Sequence, residues 1–307
     1  MMDLVRTMAI GLAATMLAGA ASAAEIAYPV PRIFAESITA TAKGDLITGS
    51  GDGTLWRARP GDQQVSRWRD ATQTGGGALF GVYADDASNT LWACAFAAPE
   101  NGKRAAVLRS FDLTTGALRA SYPLGSPGPG LCNDIAVARD GTVYVTETIK
   151  GVLYRLGKGD GAPIAWFTDP RIAGLDGVAI DDDGTLYLMT VSTPHAFRLM
   201  RGADGKPGTL TELTLSRPMD HADGLRAIGH GRFLVSENGP QGGVAIATVK
   251  GDTVDLAMVS GSRPGTTSAV LVGNQAWAVI PKLDYLFSPA LAGKDPGPFT
   301  IYSISVR

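Results

Sequence analysis

The chain repeats one sequence unit six times, and this repeat constrains its fold more than any other feature. In each unit an alternating apolar run leads into a tight turn and a second apolar run. The positions just ahead of the first run are Glu36, Phe80, Asn133, Asp176, Asp223 and Thr267, at intervals of 44, 53, 43, 47 and 44 residues. Units of roughly 40–50 residues made of short strands are typical of four-stranded propeller blades. The sequence therefore predicts an all-β, six-bladed β-propeller.

The composition of the segments supports this fold class. Nearly every readable segment alternates with period two and is rich in Val, Ile, Leu, Thr, Tyr and Trp, which indicates strands. The pairs Asp140-Gly141 and Asp183-Gly184 lie between two apolar runs. Hairpin turns need the positive φ that these residue types accept. We therefore interpret both pairs as structural turns.

Residues 1–23 are predicted to be a secretory signal peptide. They contain Arg6, an Ala/Leu/Met-rich apolar stretch and the small-residue sequence Ala21-Ser22-Ala23, in the order that such peptides show. A membrane anchor is the alternative, but the stretch is short for a span and ends in a cleavage pattern. We expect residues 24–307 to form one exported propeller domain, periplasmic or secreted, with no membrane span after cleavage.

Charge and cysteine content restrict the partners and the covalent structure. A formal net charge of -2 argues against nucleic acid or an anionic membrane surface as a partner. Cys94 and Cys132 belong to neighbouring units and are predicted to lie near the same mouth. In an exported chain they either form a disulfide or remain two buried thiols.

Four of the six repeat positions carry oxygen ligands: Glu36, Asn133, Asp176 and Asp223. Equivalent positions of a propeller converge on its axis, so these side chains are expected to form a ring at one mouth of the central channel. Crowded carboxylates there are costly unless a cation offsets them. Oxygen donors without sulfur or imidazole select calcium first, with magnesium, manganese or zinc as alternatives. An Asp that caps a turn is the competing explanation for single positions.

The second strand of each blade returns to the same mouth, so the residues that follow it are expected to line the cleft. His221 stands two residues before Asp223 and is expected there as well. Solvated loop side chains are the alternative for each of these residues. The predicted cleft residues are Glu147, His195, His221, Glu237, Asn238 and Lys282.

The units NDIAVARDGTVYVTE, DGVAIDDDGTLYLMT and DGLRAIGHGRFLVSE resemble blades of the senescence marker protein/gluconolactonase/luciferin-regenerating enzyme family. The resemblance extends from Glu25 to Arg307. It implies a six-bladed propeller with calcium or another divalent metal in the channel that hydrolyses lactones or, in one branch, organophosphates. The implied ligands are Glu36, Asn133, Asp176 and Asp223, with Asp223 as general base or nucleophile.

Two positions depart from the family pattern. Leu131 stands where sugar-lactone members carry an Arg, which argues against a sugar-acid substrate, and Asp176 replaces an Asn. The leading hypothesis is a calcium-dependent lactonase in which the metal polarises the carbonyl and Asp223 activates water. The rival is a non-catalytic envelope propeller that binds a ligand or protein and uses calcium as a structural ion. A third reading has no metal, with water in the acidic ring.

Overall fold

A computed structural model describes residues 24–96, 105–125, 130–191 and 193–306. The predicted signal peptide, residues 1–23, lies outside the described residues. Nearly all regular structure in these ranges is strand, arranged in six separate sheets. This confirms the predicted all-β, six-bladed propeller. No helix in the described ranges is long and apolar enough to cross a membrane.

The first three blades follow one another along the chain after an N-terminal strand, β1 (Glu25–Ala27). Blade 1 consists of β2 (Ile38–Ala40), β3 (Leu46–Thr48), β4 (Leu55–Ala58) and β5 (Ser66–Arg69). Blade 2 consists of β6 (Leu79–Asp85), β7 (Thr90–Phe96), β8 (Ala106–Asp112) and β9 (Leu118–Pro123). Blade 3 consists of β10 (Cys132–Val137), β11 (Val143–Glu147), β12 (Val152–Leu156) and β13 (Ile164–Thr168).

The last three blades include the short helices. A 3₁₀ turn, Pro170–Ile172, leads into blade 4, with β14 (Leu175–Ile180), β15 (Leu186–Thr190), β16 (Ala196–Arg201) and β17 (Pro207–Glu212). Blade 5 consists of β18 (Thr214–Leu215), β19 (Ala222–Gly229), β20 (Arg232–Glu237), β21 (Gly243–Lys250) and β22 (Thr253–Met258). Blade 6 contains β23 (Ser268–Val272), β24 (Gln275–Val279), helix α1 (Asp284–Phe287), a 3₁₀ turn at Pro289–Leu291, and β25 (Thr300–Ser305).

The N-terminal strand closes the ring. Strand β1 pairs antiparallel with β25, with Glu25 opposite Tyr302 and Ala27 opposite Thr300. The outermost strand of blade 6 therefore comes from the start of the described chain and the next one inward from its end. Because both ends belong to one sheet, opening the ring requires breaking a strand pair.

Neighbouring blades pack face to face through buried side chains. Tyr144 and Leu153 of blade 3 share a cluster with Leu186 and Phe197 of blade 4, all at most 1% exposed. Cys94 in β7 and Cys132 in β10 form a disulfide between blades 2 and 3, with their Cα atoms 5.1 Å apart. Of the two alternatives left open by the sequence, the structure therefore contains the bridge.

The two predicted Asp-Gly turns are present in the structure. Gly141 and Gly184 have φ of +82° and +87°, which confirms the predicted Asp-Gly turns.

The innermost strands contain irregularities that the sequence did not predict. The innermost strand pairs of blades 2 to 5 each shift register near their first residues, as from Cys132 to Ile135 in blade 3. Such a bulge inserts unpaired residues and redirects a side chain. The repeat positions of these four blades, Phe80, Asn133, Asp176 and Asp223, lie at this irregularity.

Candidate metal centre in the central channel

The predicted ring residues converge on one small cavity at the axis. Every blade contributes to its wall through the start of its innermost strand. The space between the side chains is about 10 Å³, which is room for one occupant of about the size of a water molecule. The wall consists of Glu36, Ser37, Gly81, Asn133, Asp134, Asp176, Asp223, Gly224, Thr267 and Ser268.

The bulges place three of the ring residues differently from the prediction. The sequence indicated positions ahead of the first strand, but Asn133, Asp176 and Asp223 are each the second residue of their strand. Strict alternation does not describe a bulged segment, because the extra residues leave the ladder. Glu36 does precede β2, by two residues.

Glycines beside the ring let adjacent blades approach closely. A Cβ atom at any of three such glycines would meet a backbone oxygen of the next blade. A Cβ on Gly81 would lie 1.8 Å from the backbone oxygen of Asn133. A Cβ on Gly177 would lie 2.8 Å from that of Asp223, and one on Gly224 would lie 2.6 Å from that of Thr267. The Asp-Gly pairs at 176–177 and 223–224 therefore combine a ring carboxylate with a position where only glycine fits.

Burial makes the three carboxyl groups hard to ionise together. Glu36, Asp176 and Asp223 are 6%, 4% and 7% exposed. Desolvation, together with the negative charge of Asp223, raises the pKa of both Glu36 and Asp176 well above their ordinary values. Desolvation raises the pKa of Asp223 to about 7, although a hydrogen bond from Asn238 works in the opposite direction. A protein without a bound cation thus holds protons in this ring near neutral pH.

Two amides adjoin the carboxyl groups. Asn133 donates from Nδ2 to Thr148 Oγ1 at 3.1 Å, and Asn238 donates from Nδ2 to Asp223 Oδ2 at 2.6 Å. Glu36 Oε2 and Asp176 Oδ1 are buried and have no hydrogen-bond partner within the described ranges of the chain. Buried carboxylate oxygens without partners are uncommon and indicate that a further group completes the site.

The donor set fits a hard divalent cation. Three carboxyl groups and one amide surround a space of ion size, and two of the oxygens lack partners. Among the residues that the structure describes, no group of three or more His, Cys, Asp or Glu side chains is arranged as a ready-made metal site. The fit therefore rests on the chemistry of these oxygen donors, which calcium and magnesium prefer.

An ion pair beneath the ring was not anticipated from the sequence. Arg226 donates from an Nη atom to Asp134 Oδ1 at 2.6 Å, and from the other to the Val82 oxygen at 3.1 Å. Asp134 also accepts a bond from the Val178 amide at 3.1 Å. Both charged side chains are buried, at 7% and 4% exposure. The pair thereby connects the innermost strands of blades 2, 3, 4 and 5 across the channel.

The aligned repeats do contain a signal for this pair. Asp134 directly follows the ring residue of blade 3, and the equivalent residue of blades 2, 4 and 5 is glycine. Arg226 lies three residues after its ring position, where blades 3 and 4 have Ala136 and Ala179. Asp134 is a charge where the other blades have Gly or Ser, and Arg226 is a charge where the other blades have uncharged residues, Tyr83 and Val270 among them. Buried charges need partners.

Two predicted cleft residues bind backbone groups of the segments that precede the innermost strand of their blade. Glu147 is fully buried and accepts the amides of Leu131 and Lys150 at 2.8 and 2.9 Å. Glu237 is also fully buried, accepts the Asp220 amide at 2.7 Å and pairs with Arg217. Both glutamates end the second strand of a blade and hold the segment that leads into its innermost strand, and Glu147 also holds the loop that follows it.

Three further predicted cleft residues lie in loops, where both histidines are exposed and Lys282 is half-buried. The His195 side chain is 45% exposed, with Nδ1 2.6 Å from Glu212 Oε1. His221 is 62% exposed in its side chain and has a φ of +56°. Lys282 donates to the backbone oxygens of residues 296 and 298, both at 2.7 Å. None of the three lines the small cavity of the acidic ring.

Comparisons with known proteins identify the architecture. No family model matches the chain, and no curated protein matches it either. Among solved structures, a gluconolactonase from Xanthomonas campestris aligns with a TM-score of 0.63 and 16% identity, covering 90% of this chain and 87% of the other. A luciferin-regenerating enzyme aligns with a TM-score of 0.64 and 13% identity, covering 92% and 95%.

A protein with different chemistry has the same fold. An aldose sugar dehydrogenase from Streptomyces coelicolor, solved with bound PQQ, aligns with a TM-score of 0.59 and 15% identity, covering 92% of this chain and 98% of the other. At such identities the likeness concerns the fold alone, because one fold supports many activities. The comparisons therefore establish that this chain shares the propeller fold of gluconolactonases and of sugar dehydrogenases.

Proposed function

We propose that the chain is an exported hydrolase of the lactonase type that depends on a divalent cation. Calcium is the cation that we expect. The observation that carries the proposal is the ring of three buried carboxyl groups and an amide around an ion-sized cavity, with Glu36 Oε2 and Asp176 Oδ1 unpartnered. The fold shared with the Xanthomonas gluconolactonase and the luciferin-regenerating enzyme supports the reaction class. The disulfide supports export, because such bonds persist in oxidising compartments.

The ring residues would hold the cation, and neighbouring residues position them. Glu36, Asn133, Asp176 and Asp223 supply the oxygen ligands. When bound, the cation would act as a Lewis acid towards a lactone carbonyl. The bond from Asn133 to Thr148 limits rotation of that amide.

Asp223 is the proposed general base. Asn238 donates to Asp223 Oδ2 at 2.6 Å and fixes the orientation of this carboxylate, which, when partly freed from the cation, would accept a proton from the attacking water. That water adds to the carbonyl carbon, the ring C–O bond breaks, and the leaving alkoxide takes up a proton to give a hydroxy acid. A positioned base of this kind contributes about 10²–10⁴-fold to the rate.

The substrate is expected to be a lactone other than a sugar lactone. Leu131 brings an apolar side chain to a position where, by family likeness, an Arg would bind sugar-acid groups. The Leu131 amide donates to Glu147 at 2.8 Å, so a buried carboxylate fixes the backbone at this point. An aliphatic lactone suits this residue better than gluconolactone does.

Acid release from a panel of lactones, aryl esters and phosphotriesters tests the proposal. We expect turnover of at least one lactone, loss of turnover in chelator, recovery with calcium, and a loss of about 10²-fold or more in Asp223→Asn. Asp255→Asn, which changes an exposed carboxylate in β22, is the matched control and should keep full activity. Turnover that survives both chelator and Asp223→Asn would refute the mechanism. If no compound is turned over and chelator lowers the melting temperature, the cation has a structural role only and the proposed activity is wrong.

A further inference from the structure

A second cavity lies between blades 2 and 3, at the end of the channel opposite the acidic ring. The innermost strands begin at the ring and end at their first hairpins, and the hairpins at 85–90 and 139–141 border this cavity. Its volume is about 630 Å³, within the range of roughly 300–1,000 Å³ that is usual for small-molecule sites. We call it the inter-blade groove.

One wall of the inter-blade groove is a row of aromatic side chains on blade 2. Tyr83, Trp92 and Tyr122 belong to the innermost, second and outermost strands of that blade. Tyr83 and Trp92 are direct cross-strand partners, and the ring centroids of Trp92 and Tyr122 lie 6.3 Å apart. All three are half-buried. The row therefore extends from the channel towards the outside of the propeller.

The adjoining wall is aliphatic and comes from blade 3. Val137, Val143 and Leu156 line the groove next to the aromatic row. The aromatic side chains pack against the same buried cluster that contains Val143 and Leu156, so aromatic and aliphatic surfaces form a continuous apolar lining. An aromatic ring would bury apolar area against this lining, whereas a sugar would desolvate hydroxyl groups there.

The polar groups of the groove determine which substituents and which charge a bound aromatic ring can carry. Trp92 Nε1 is buried and has no hydrogen-bond partner among the residues that the structure describes, so an acceptor would satisfy it. In the described part of the chain, the rim carries four Asp side chains and only two basic ones, Arg139 and Lys158. This excess of acidic groups repels an anion, and any ion would lose its hydration between the apolar walls.

We propose that the inter-blade groove binds a small, uncharged aromatic molecule that carries a hydrogen-bond acceptor on its ring edge. The groove adjoins a cavity of about 270 Å³ at this end of the channel, with which it shares Tyr83, Ala84 and Val137. A substituent on the ring has room to extend there. The Asp134–Arg226 ion pair lies between this end of the channel and the acidic ring. Binding in the groove is therefore independent of the proposed hydrolase activity.

Two matched probes test the proposal, both uncharged and neither an ester. They are 4-hydroxyacetophenone and its cyclohexane analogue, 1-(4-hydroxycyclohexyl)ethanone, each titrated by calorimetry and by saturation-transfer NMR. The aromatic probe should bind with one-to-one stoichiometry and at least tenfold more tightly than the saturated one. Binding should be unchanged by chelator and by Asp223→Asn, which separates this site from the acidic ring.

Variants of Trp92 assign the site. Trp92→Phe keeps the ring and removes the N–H, and should weaken binding of the aromatic probe about threefold to tenfold, as expected for one hydrogen bond. Trp92→Leu removes the aromatic surface and should abolish binding. Trp166→Phe, at an indole that donates to the Gly205 oxygen outside the groove, is the control and should bind as the wild type does. An absence of saturable binding, equal affinity for both probes, or unchanged binding in a folded Trp92→Leu variant would each overturn the proposal.

Discussion

Neutralising one carboxyl of the acidic ring should stabilise the protein when no cation is bound. Burial raises the pKa of Asp223 from 3.8 to about 7. Below pH 4 this carboxyl is protonated in both the folded and the unfolded chain and has no effect on stability. Between pH 4 and 7 the unfolded chain releases the proton while the folded chain retains it, so the free energy of unfolding falls. Above pH 7 the loss is complete and constant.

The size of this loss follows from the difference between the two pKa values. A difference of about 3 corresponds to about 4 kcal/mol. For a domain of this size that is a fall of about 10 °C in Tm between pH 4 and pH 8. Glu36 and Asp176, whose pKa values burial also raises, act in the same direction. Asp223→Asn should therefore be more stable than the wild type at pH 8 in chelator and should show a smaller pH dependence.

Thermal unfolding from pH 4 to pH 8, in chelator and in millimolar calcium, measures the effect. A bound cation requires ionised ligands, so calcium should raise the Tm of the wild type at pH 8 far more than at pH 4. Asp223→Asn should lose most of this response, whereas Asp255→Asn, on the exposed face of β22, should behave as the wild type. A wild-type Tm in chelator that stays level or rises from pH 4 to pH 7, or an Asp223→Asn variant with the wild-type slope, would refute the reasoning.

Three further variants probe the frame of the site by chemical denaturation or thermal unfolding. Cys94→Ser opens the bridge to Cys132, which closes a separation of 38 residues, and should lower the free energy of unfolding by about 4 kcal/mol; an unchanged midpoint would contradict this. Arg226→Met leaves the Asp134 carboxylate buried without its cation and should cost about 3–5 kcal/mol, more than any exposed Arg→Met change. Gly177→Ala places a Cβ 2.8 Å from a backbone oxygen and should reduce both stability and calcium binding, the latter measured by calorimetry.

The fold could be predicted because the sequence pattern of one blade occurs six times in the chain. Six copies of one strand–turn–strand pattern determine the blade, the number of blades and the axis on which equivalent residues meet. The ring residues Glu36, Asn133, Asp176 and Asp223 follow from that symmetry without knowledge of any contact. Their shared cavity confirms the convergence, while the bound cation stays a prediction.

Contacts that break the repeat were beyond reach of the same reasoning. Asp134 and Arg226 are 92 residues apart in sequence, and only their unusual residue types mark them. Glu147 and Glu237 lie at the expected mouth, but sequence spacing does not tell which way a side chain points from the end of a strand. Both instead accept backbone amides of the segment that leads into the innermost strand of the same blade, a role that depends on the path of that segment.

The residue after each ring position explains how three carboxyl groups can remain close without disrupting the fold. In three blades its side chain accepts an amide of the next blade: Val82 to Ser37 at 3.2 Å, Val178 to Asp134 at 3.1 Å, and Ile38 to Ser268 at 3.2 Å. In the other three the residue is glycine, and the next backbone packs directly against it. The backbone of the ring is therefore held by contacts that do not involve the carboxyl groups. Replacing a carboxyl should relieve repulsion without loosening this frame, so stability and cation binding should change in opposite directions, as is common where function requires a strained site.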